Sequence, residues 1–573
     1  MKKILFIICL LLTIHVSYAQ YNPLWIPDTL SGSTFNLTAQ DTFRQMLTGN
    51  QTITAAYNGD WWGPTMIWYK GQTVHMNVTN KLQDTTTVHW HGMHLPAVMD
   101  GGPHQLIPPN TVWSPYWTIE NNAATYWYHP HLHMEAEKQI TEGLGGLIIV
   151  RDSIESALAL PRTYGIDDIP LILTDRSFSA NQMTVVPYGD SMVTNGVLHA
   201  QCTLPAQVVR FRMLDAAIER SYNIGLSDGS TFYVITSDGG LLNAPVPLTR
   251  FLISPGERVE ILVDLTGKTG SLDLKAYNST LSNFVGGGEN FGGGPFANAL
   301  GKKDFPILHI NIGAQTALPI TTIPSTLTTN TYLSASSASV TRDLTMSDST
   351  GVSGILGPNA FIINHQIFQL NKIDYHVPVD STEIWQITSS SVFSHPFHIH
   401  DVEFNVLSIN GATPPAEQQG WKDVILVPNK PQGPTSSNQV VRFIARFSDF
   451  SDTIHPFMFH CHIALHEDEG MMGQFVVTGN SLPNGIAEPN TVKPDYTIYP
   501  NPSTNQLFIS FANTSTSAYY VRIVDALGRT MYMLPRPQLE NGIDINGLSA
   551  GIYDLQLTDD KTKITVSKKF VKE

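Results

Sequence analysis

Three cysteines in 573 residues cannot staple a chain of this size. That scarcity excludes a disulfide-built scaffold. Cys9 falls in the N-terminal apolar run, which leaves Cys202 and Cys461. The two could form one disulfide in an oxidising compartment, but Cys461 sits between His460 and His462, a setting that suits metal or redox chemistry. Cys202 reads as a bystander. Basic residues are also few, 33 Lys plus Arg against 48 Asp plus Glu, for a formal charge of −15. With no basic run, nucleic acid is excluded as a partner, because phosphate binding needs positive charge. No apolar stretch is long enough to span a bilayer, which takes about 20 residues. The one notable run, Ile4 to Leu12 in "MKKILFIICLLLTIHVSYAQ", follows two lysines and precedes small residues ending at Ala19. It reads as a secretory signal over residues 1–19.

Helical periodicity is scarce too. Short alternating runs such as "QTVHMNVTN", "ERVEILVDL", "EIWQITSS" and "QVVRFIARF" recur instead between Gly, Pro and Asn clusters. That pattern belongs to β-sandwiches, so the expected fold class is all-β. At about 150 residues per unit the length suggests roughly four units. An internal repeat supports the division. "TYWYHPHLHMEAEKQITEGLGGLIIV" resembles "PFMFHCHIALHEDEGMMGQFVV", and "TVHWHGMHL" resembles "FSHPFHIHDVEF". The first unit (25–160) and third unit (330–480) therefore look like copies of one β domain. Between them, 165–315 has strand-like segments and a turn at Pro255-Gly256 but no His-x-His, and reads as a metal-free spacer. A loose linker, 481–495, leads to a last β unit, 496–573. The run "VGGGENFGGGPF" from Val285 reads as a flexible connector.

Histidine is where the sequence is rich. With 20 histidines, chance would place about 0.7 pairs at i, i+2. Five occur: His89/His91, His129/His131, His131/His133, His398/His400 and His460/His462. Residues two apart in a strand face the same way, so each pair is a two-nitrogen claw. Structural zinc prefers closed sets of Cys and His. Here a single cysteine stands among many imidazoles, and Cys461, His466 and Met471 with an incoming histidine make a His2Cys site with a weak axial thioether. That set describes blue copper. His395 is the natural incoming ligand, because it is offset by an odd number from His398 and His400. Cys461 then faces one side of its strand and His460 and His462 the other, joining two copper centres by one covalent run. Pro130 occupies the place of Cys461 in the first unit, which cannot build a blue site.

These stretches, "HWHG", "YWYHPHLH", "HPFHIH" and "HCHIALHEDEGMM", resemble the four copper motifs of the multicopper oxidases, over about residues 40 to 480. The resemblance implies three cupredoxin-like Greek-key β-sandwich domains followed by a small β-sandwich, and four coppers per chain. Type 1 copper would take His395, Cys461, His466 and Met471, and type 2 copper His89 and His398. The type 3 pair would take His91, His129, His131, His400, His460 and His462. His94 and His133 have no slot and are given a structural or hydrogen-bonding role.

The implied reaction couples four one-electron oxidations of a small reducing substrate to reduction of dioxygen to water. Asp100 and Glu467 stand where similar bacterial enzymes keep proton-carrying acids. Scattered methionines favour a laccase-like oxidase of phenols and aromatics, with a cuprous or other metal-ion oxidase as alternative. As for a non-catalytic copper-binding protein, an electron carrier would have no use for eight further imidazoles in two domains, and a storage protein would spread Met and Cys ligands more freely. The tail, "YTIYPNPSTNQLFIS" to "VSKKFVKE", resembles the type IX secretion sorting domain. Secretion machinery is then a partner, and the protein is expected outside, or on the surface of, a Gram-negative cell.

Overall fold

Alternation becomes strand wherever it buries one face. In Thr73–Asn80, "TVHMNVTN", Val74, Met76 and Val78 turn inward while Thr73 and His75 stay in water. The computed structural model describes residues 21–180, 182–289, 298–354, 357–433, 435–479, 496–511, 519–525, 530–535, 542–559 and 565–573. The predicted signal, the linker 481–495 and most of the glycine-rich run after Glu289 lie outside the described residues. Strands dominate, and the α-helices among the described residues are short: Ala136–Glu142, Ser153–Ala157 and Ala464–Asp468. The all-β expectation holds. No described helix is long and apolar enough to cross a membrane.

The chain separates into two compact units, 1–482 and 483–573. The larger one contains three apolar cores. One spans Phe35 to Val150, a second Leu160 to Leu327, and a third Leu344 to Val477 with Ala97. We call these the first, middle and third lobes. Gln182–Thr184 pairs with Thr52–Tyr57, fusing sheets of the first and middle lobes into one sheet of 13 strands. The seam is charged as well as hydrogen-bonded. Arg212 of the middle lobe donates to Asp168 at 2.7 Å and to Glu260 at 2.6 Å, and Thr125 of the first lobe donates to Glu260 at 2.6 Å. Such charges are buried only because each is paired.

The first and third lobes repeat one arrangement. In the first, His89–His91 lies at the edge of a five-stranded sheet beside Ala124–His129, with His89 opposite His129. In the third, His395–Ile399 lies beside Asp452–Cys461, with His398 opposite His460 and Phe397 opposite Cys461. Trp90, between the two histidines of its strand, is buried in the first core, so the imidazoles must face outward from it. Cys461 and Phe397 join the third core, which turns His460 and His398 toward the first lobe.

The C-terminal unit has two small sheets. Tyr496–Tyr499, Gln506–Phe511 and Ile543–Asp544 form one. Thr530–Pro535, Tyr519–Val524, Gly551–Asp559 and Thr565–Lys572 form the other. Leu507, Val521, Ile523, Leu555, Leu557 and Phe570 form its core. This is the small antiparallel sandwich expected from its alternation.

Candidate metal centre

His395, Cys461 and His466 meet at the edge of the third core. The Cys461 sulfur is 3.5 Å from His395 Nδ1 and 3.6 Å from His466 Nδ1, and those nitrogens are 3.2 Å apart. Met471, fully buried, is held beside them: Cys461 N–H donates to its carbonyl at 3.0 Å, and its own N–H donates to His466 O at 2.8 Å. Burial pushes His395 down to about 3 and the Cys461 thiol well up. His466 is lowered by burial and then by His395. The rings therefore present lone pairs, and metal binding would displace the thiol proton.

Where the first and third lobes meet, the eight remaining predicted ligands converge, all of them buried. Their nitrogens sort into two triplets and a pair. His131 and His400 bring Nε2 to 3.1 and 3.4 Å from His460 Nε2. His129 and His462 bring Nε2 to 3.4 and 3.2 Å from His91 Nδ1. The pair is His89 and His398, whose Nε2 atoms are buried without any protein partner among the described residues. Burial, reinforced by the neighbouring imidazoles, lowers His91, His129, His131, His398 and His400 well below 6.5. A packed set of buried imidazoles can hold metal, and beside a cysteine sulfur with two further imidazoles the donor set fits copper.

Several of the outward nitrogens are tied to acceptors, which fixes those rings. His129 Nδ1 donates to Pro130 O at 2.8 Å, and His398 Nδ1 to Asp423 O at 2.8 Å. Three buried carboxylates then reach across the two lobes. Asp100 faces His89 Nδ1 at 3.3 Å and accepts from His400 Nδ1 at 2.8 Å. Glu467 faces His131 Nδ1 at 3.2 Å and His460 Nδ1 at 3.3 Å. Asp423 faces His91 Nε2 at 3.2 Å and His398 Nδ1 at 3.7 Å. Burial first, then Asp468, raises Glu467 well above the ordinary carboxylate range. Asp468 itself accepts from the backbone N–H groups of Ala136 and Glu137, at 3.2 and 2.8 Å.

The histidines and the cysteine named from the sequence as ligands thus lie in two clusters, Met471 is tied by its backbone to the smaller one, and Asp100 and Glu467 stand against the larger. Three contributors were not found from the sequence: Asp423, Arg258 and Glu219. Arg258 pairs with Asp423, while Glu219 Oε1 stands 4.0 Å from His466 Nε2. Burial first, then Glu289, raises Glu219 to about 8. Arg258 and Glu219 belong to the middle lobe, which supplies no imidazole to either cluster yet is more than a spacer. The remaining histidines do not join. His94 bridges Asp401 and Asp449 at 2.8 and 2.9 Å, and His133 packs edge-on against Phe368. His104 reaches Gln474, while His309 and His455 pair with nearby aspartates. Cys202 and Cys461 are both free thiols.

Comparison with known proteins agrees with this geometry. Family models described as multicopper oxidase match residues 38–155 and 335–481, and one described as secretion system C-terminal sorting domain matches 497–573. The multicopper oxidase mco of Staphylococcus haemolyticus is 30% identical over 456 residues, 78% of this chain and 88% of that protein. A cell division protein, FtsP of Shigella dysenteriae, is 29% identical over 80% of this chain and 93% of its own length. The solved laccase-like multicopper oxidase CueO of Ochrobactrum sp., described as having oxidase activity towards lignin model compounds and lignosulfonate, is 31% identical. It superposes with a TM-score of 0.70 over 80% of this chain and 100% of its own. With two lobes closing a buried cage of imidazoles beside a thiolate site, and relatives matched along most of its length, this chain belongs to the multicopper oxidase family and ends in a secretion-system sorting domain.

Proposed function

We propose that the chain is an exported four-copper oxidase that passes electrons from small phenolic or aromatic donors to dioxygen. In this reading His395, Cys461, His466 and Met471 hold type 1 copper. The pair His89 and His398 holds type 2 copper, and the triplets His131/His400/His460 and His91/His129/His462 hold the type 3 pair. When bound, the four coppers accept electrons singly at the thiolate site and deliver them together for reduction of dioxygen to water. The lobes fall at about residues 25–160, 165–315 and 330–480, and the single observation that carries the reading is the two-triplets-and-a-pair sorting of nitrogens.

The residues divide the remaining work. His460 and His462 flank Cys461 directly, so the backbone itself links the two clusters. At the donor end, His466 turns Nε2 toward Glu219, and Phe361 packs over its ring with centroids 3.9 Å apart. Glu219 Oε1 is buried and accepts from the Tyr188 hydroxyl at 2.9 Å, and through that hydroxyl it takes up the proton that a phenol loses on oxidation. At the dioxygen end, Glu467 and Asp100 face ligand imidazoles, where they pass protons on as oxygen is reduced.

A metal-ion oxidase is the second reading, favoured by Glu219 beside His466 with Glu289 near enough to Glu219 to raise it. One relative, FtsP, is named a cell division protein, and the donor set of this chain is what supports catalysis. Oxygen uptake by the copper-loaded protein with phenols, bilirubin, cuprous and manganous ions tests the proposal. Fastest uptake with phenols is expected; four bound coppers with no uptake under any donor would sink it. The sorting domain supports export through the type IX system of a Gram-negative cell, with residues 1–19 as the first signal.

A further inference from the structure

Of the three carboxylates that face cage imidazoles from across the two lobes, Asp423 alone is locked to a Lys or Arg among the described residues. Arg258 Nη1 donates to Asp423 Oδ1 at 2.6 Å and Nη2 to Oδ2 at 2.5 Å, a two-pronged contact. Neither Asp100 nor Glu467 has a Lys or Arg partner among the described residues. The guanidinium is itself fully tied. Nε donates to Thr125 O at 3.2 Å, Nη1 to Gly256 O at 3.1 Å, and Nη2 to Asp238 O at 3.2 Å. A planar fork satisfied on every side has one orientation, and a lysine could not reproduce it.

The backbone around the pair is shaped to admit it. Gly92, directly after His91, has φ +82°, and a Cβ there would lie 2.5 Å from Asp423 Oδ2 and 2.7 Å from Arg258 Nη2. Gly256, at φ +86°, brings the middle lobe so close that a Cβ would lie 2.6 Å from the His462 ring. Both glycines are required by space as well as by conformation.

His91 is the ring these features surround, and it is turned unlike its partners. The other two members of its triplet point Nε2 inward, whereas His91 points Nδ1 inward and Nε2 at Asp423. A neutral imidazole with its proton on Nε2 has its lone pair on Nδ1. A carboxylate that can only accept a hydrogen bond selects that tautomer.

We propose that Arg258 and Asp423 are a positioning pair: the middle lobe, through Arg258, holds Asp423 as a fixed acceptor that keeps His91 Nδ1 aimed into the cage. Asp423 is then distinct in role from Asp100 and Glu467, being held too firmly to carry protons. The inference rests on the copper assignment proposed above.

The test uses the full copper-loaded chain and its Asp423→Asn and Arg258→Lys variants. Four quantities are read for each: copper per chain, the blue band, the near-ultraviolet band of the coupled copper pair, and retention of each copper against a chelator. Outer hydrogen-bond partners of ligand histidines are worth roughly 10–100-fold in metal affinity. Asp423→Asn should therefore lose one trinuclear copper at roughly 10–100-fold lower chelator concentration, with the near-ultraviolet band falling and the blue band kept. Arg258→Lys should shift in the same direction by less. An unchanged near-ultraviolet band in either folded variant overturns the proposal. Loss of both bands together in both variants, with unfolding, makes the pair a plain structural clamp and overturns it too. A wild-type chain without the near-ultraviolet band would instead sink the copper assignment.

Discussion

His400 Nδ1 donates to Asp100 Oδ2 at 2.8 Å, across 300 positions of sequence and across the boundary between the first and third lobes. The same carboxylate faces His89, so one acid touches a predicted type 3 ligand and a predicted type 2 ligand at once. Glu467 likewise spans the lobes, facing His131 of the first and His460 of the third, two members of one triplet.

If these two acids deliver protons, Asp100→Asn and Glu467→Gln should each keep the blue band and slow dioxygen reduction by about 100-fold, the low end of general acid–base contributions. Stopped-flow reoxidation of the fully reduced protein measures the step directly. Rates equal to wild type across the pH range would remove that residue from the mechanism.

Cys461→Ser should abolish the intense visible absorption, because it arises from charge transfer between thiolate and copper. Met471→Leu should keep the colour and raise the type 1 potential, since loss of a weak donor disfavours the oxidised ion. A visible spectrum and a redox titration check both.

Copper-free protein should lose stability as pH falls below about 6.5. Burial holds both His395 and His460 at about 3, so between those values the unfolded chain binds a proton that the folded chain does not. Each ring then costs about 1.4 kcal/mol per pH unit, with no penalty above 6.5. Urea unfolding midpoints between pH 7.5 and 5 read this out. A flat profile would mean the rings are charged or exposed.

Glu219 stands at about 8, so its proton-accepting form grows as pH rises toward that value. With phenols, kcat/KM should climb on that limb, and Glu219→Gln should erase the climb while leaving the blue band intact. Steady-state rates from pH 5 to 9 decide it; an identical profile in the variant would place proton acceptance elsewhere.

Deleting Tyr499 to Glu573 should leave an active oxidase in the periplasm. That stretch carries most of a core of its own. Fractionation of cells and medium is the measurement, and normal export of the truncated chain would defeat the sorting role.

Pairs two apart in a strand, as at His89/His91 and His460/His462, declare themselves because β geometry converts that spacing into a shared face. The His-Cys-His run and the Met471 spacing were legible for the same local reason. Asp423 was not. It lies 25 positions after His398, in "GWKDVILV", and no periodicity separates it from a turn carboxylate. Arg258, within "ERVEILVDL", reads as the polar side of an alternating strand, yet it is buried against another lobe. Glu219 likewise reads as an ordinary charge in "AAIERSYN".

The sequence by itself determined the all-β class, the repeat of the first and third lobes, the candidate donor residues and the sorting tail. Each of these is written in short-range spacing that backbone geometry translates directly. Only the tertiary structure decided which nitrogen each ring presents, how the imidazoles divide into triplets, and that the middle lobe reaches the cage through Arg258, Gly256 and Glu219. Those depend on side chains that meet across hundreds of positions, where distance in the fold carries no trace in the order of residues.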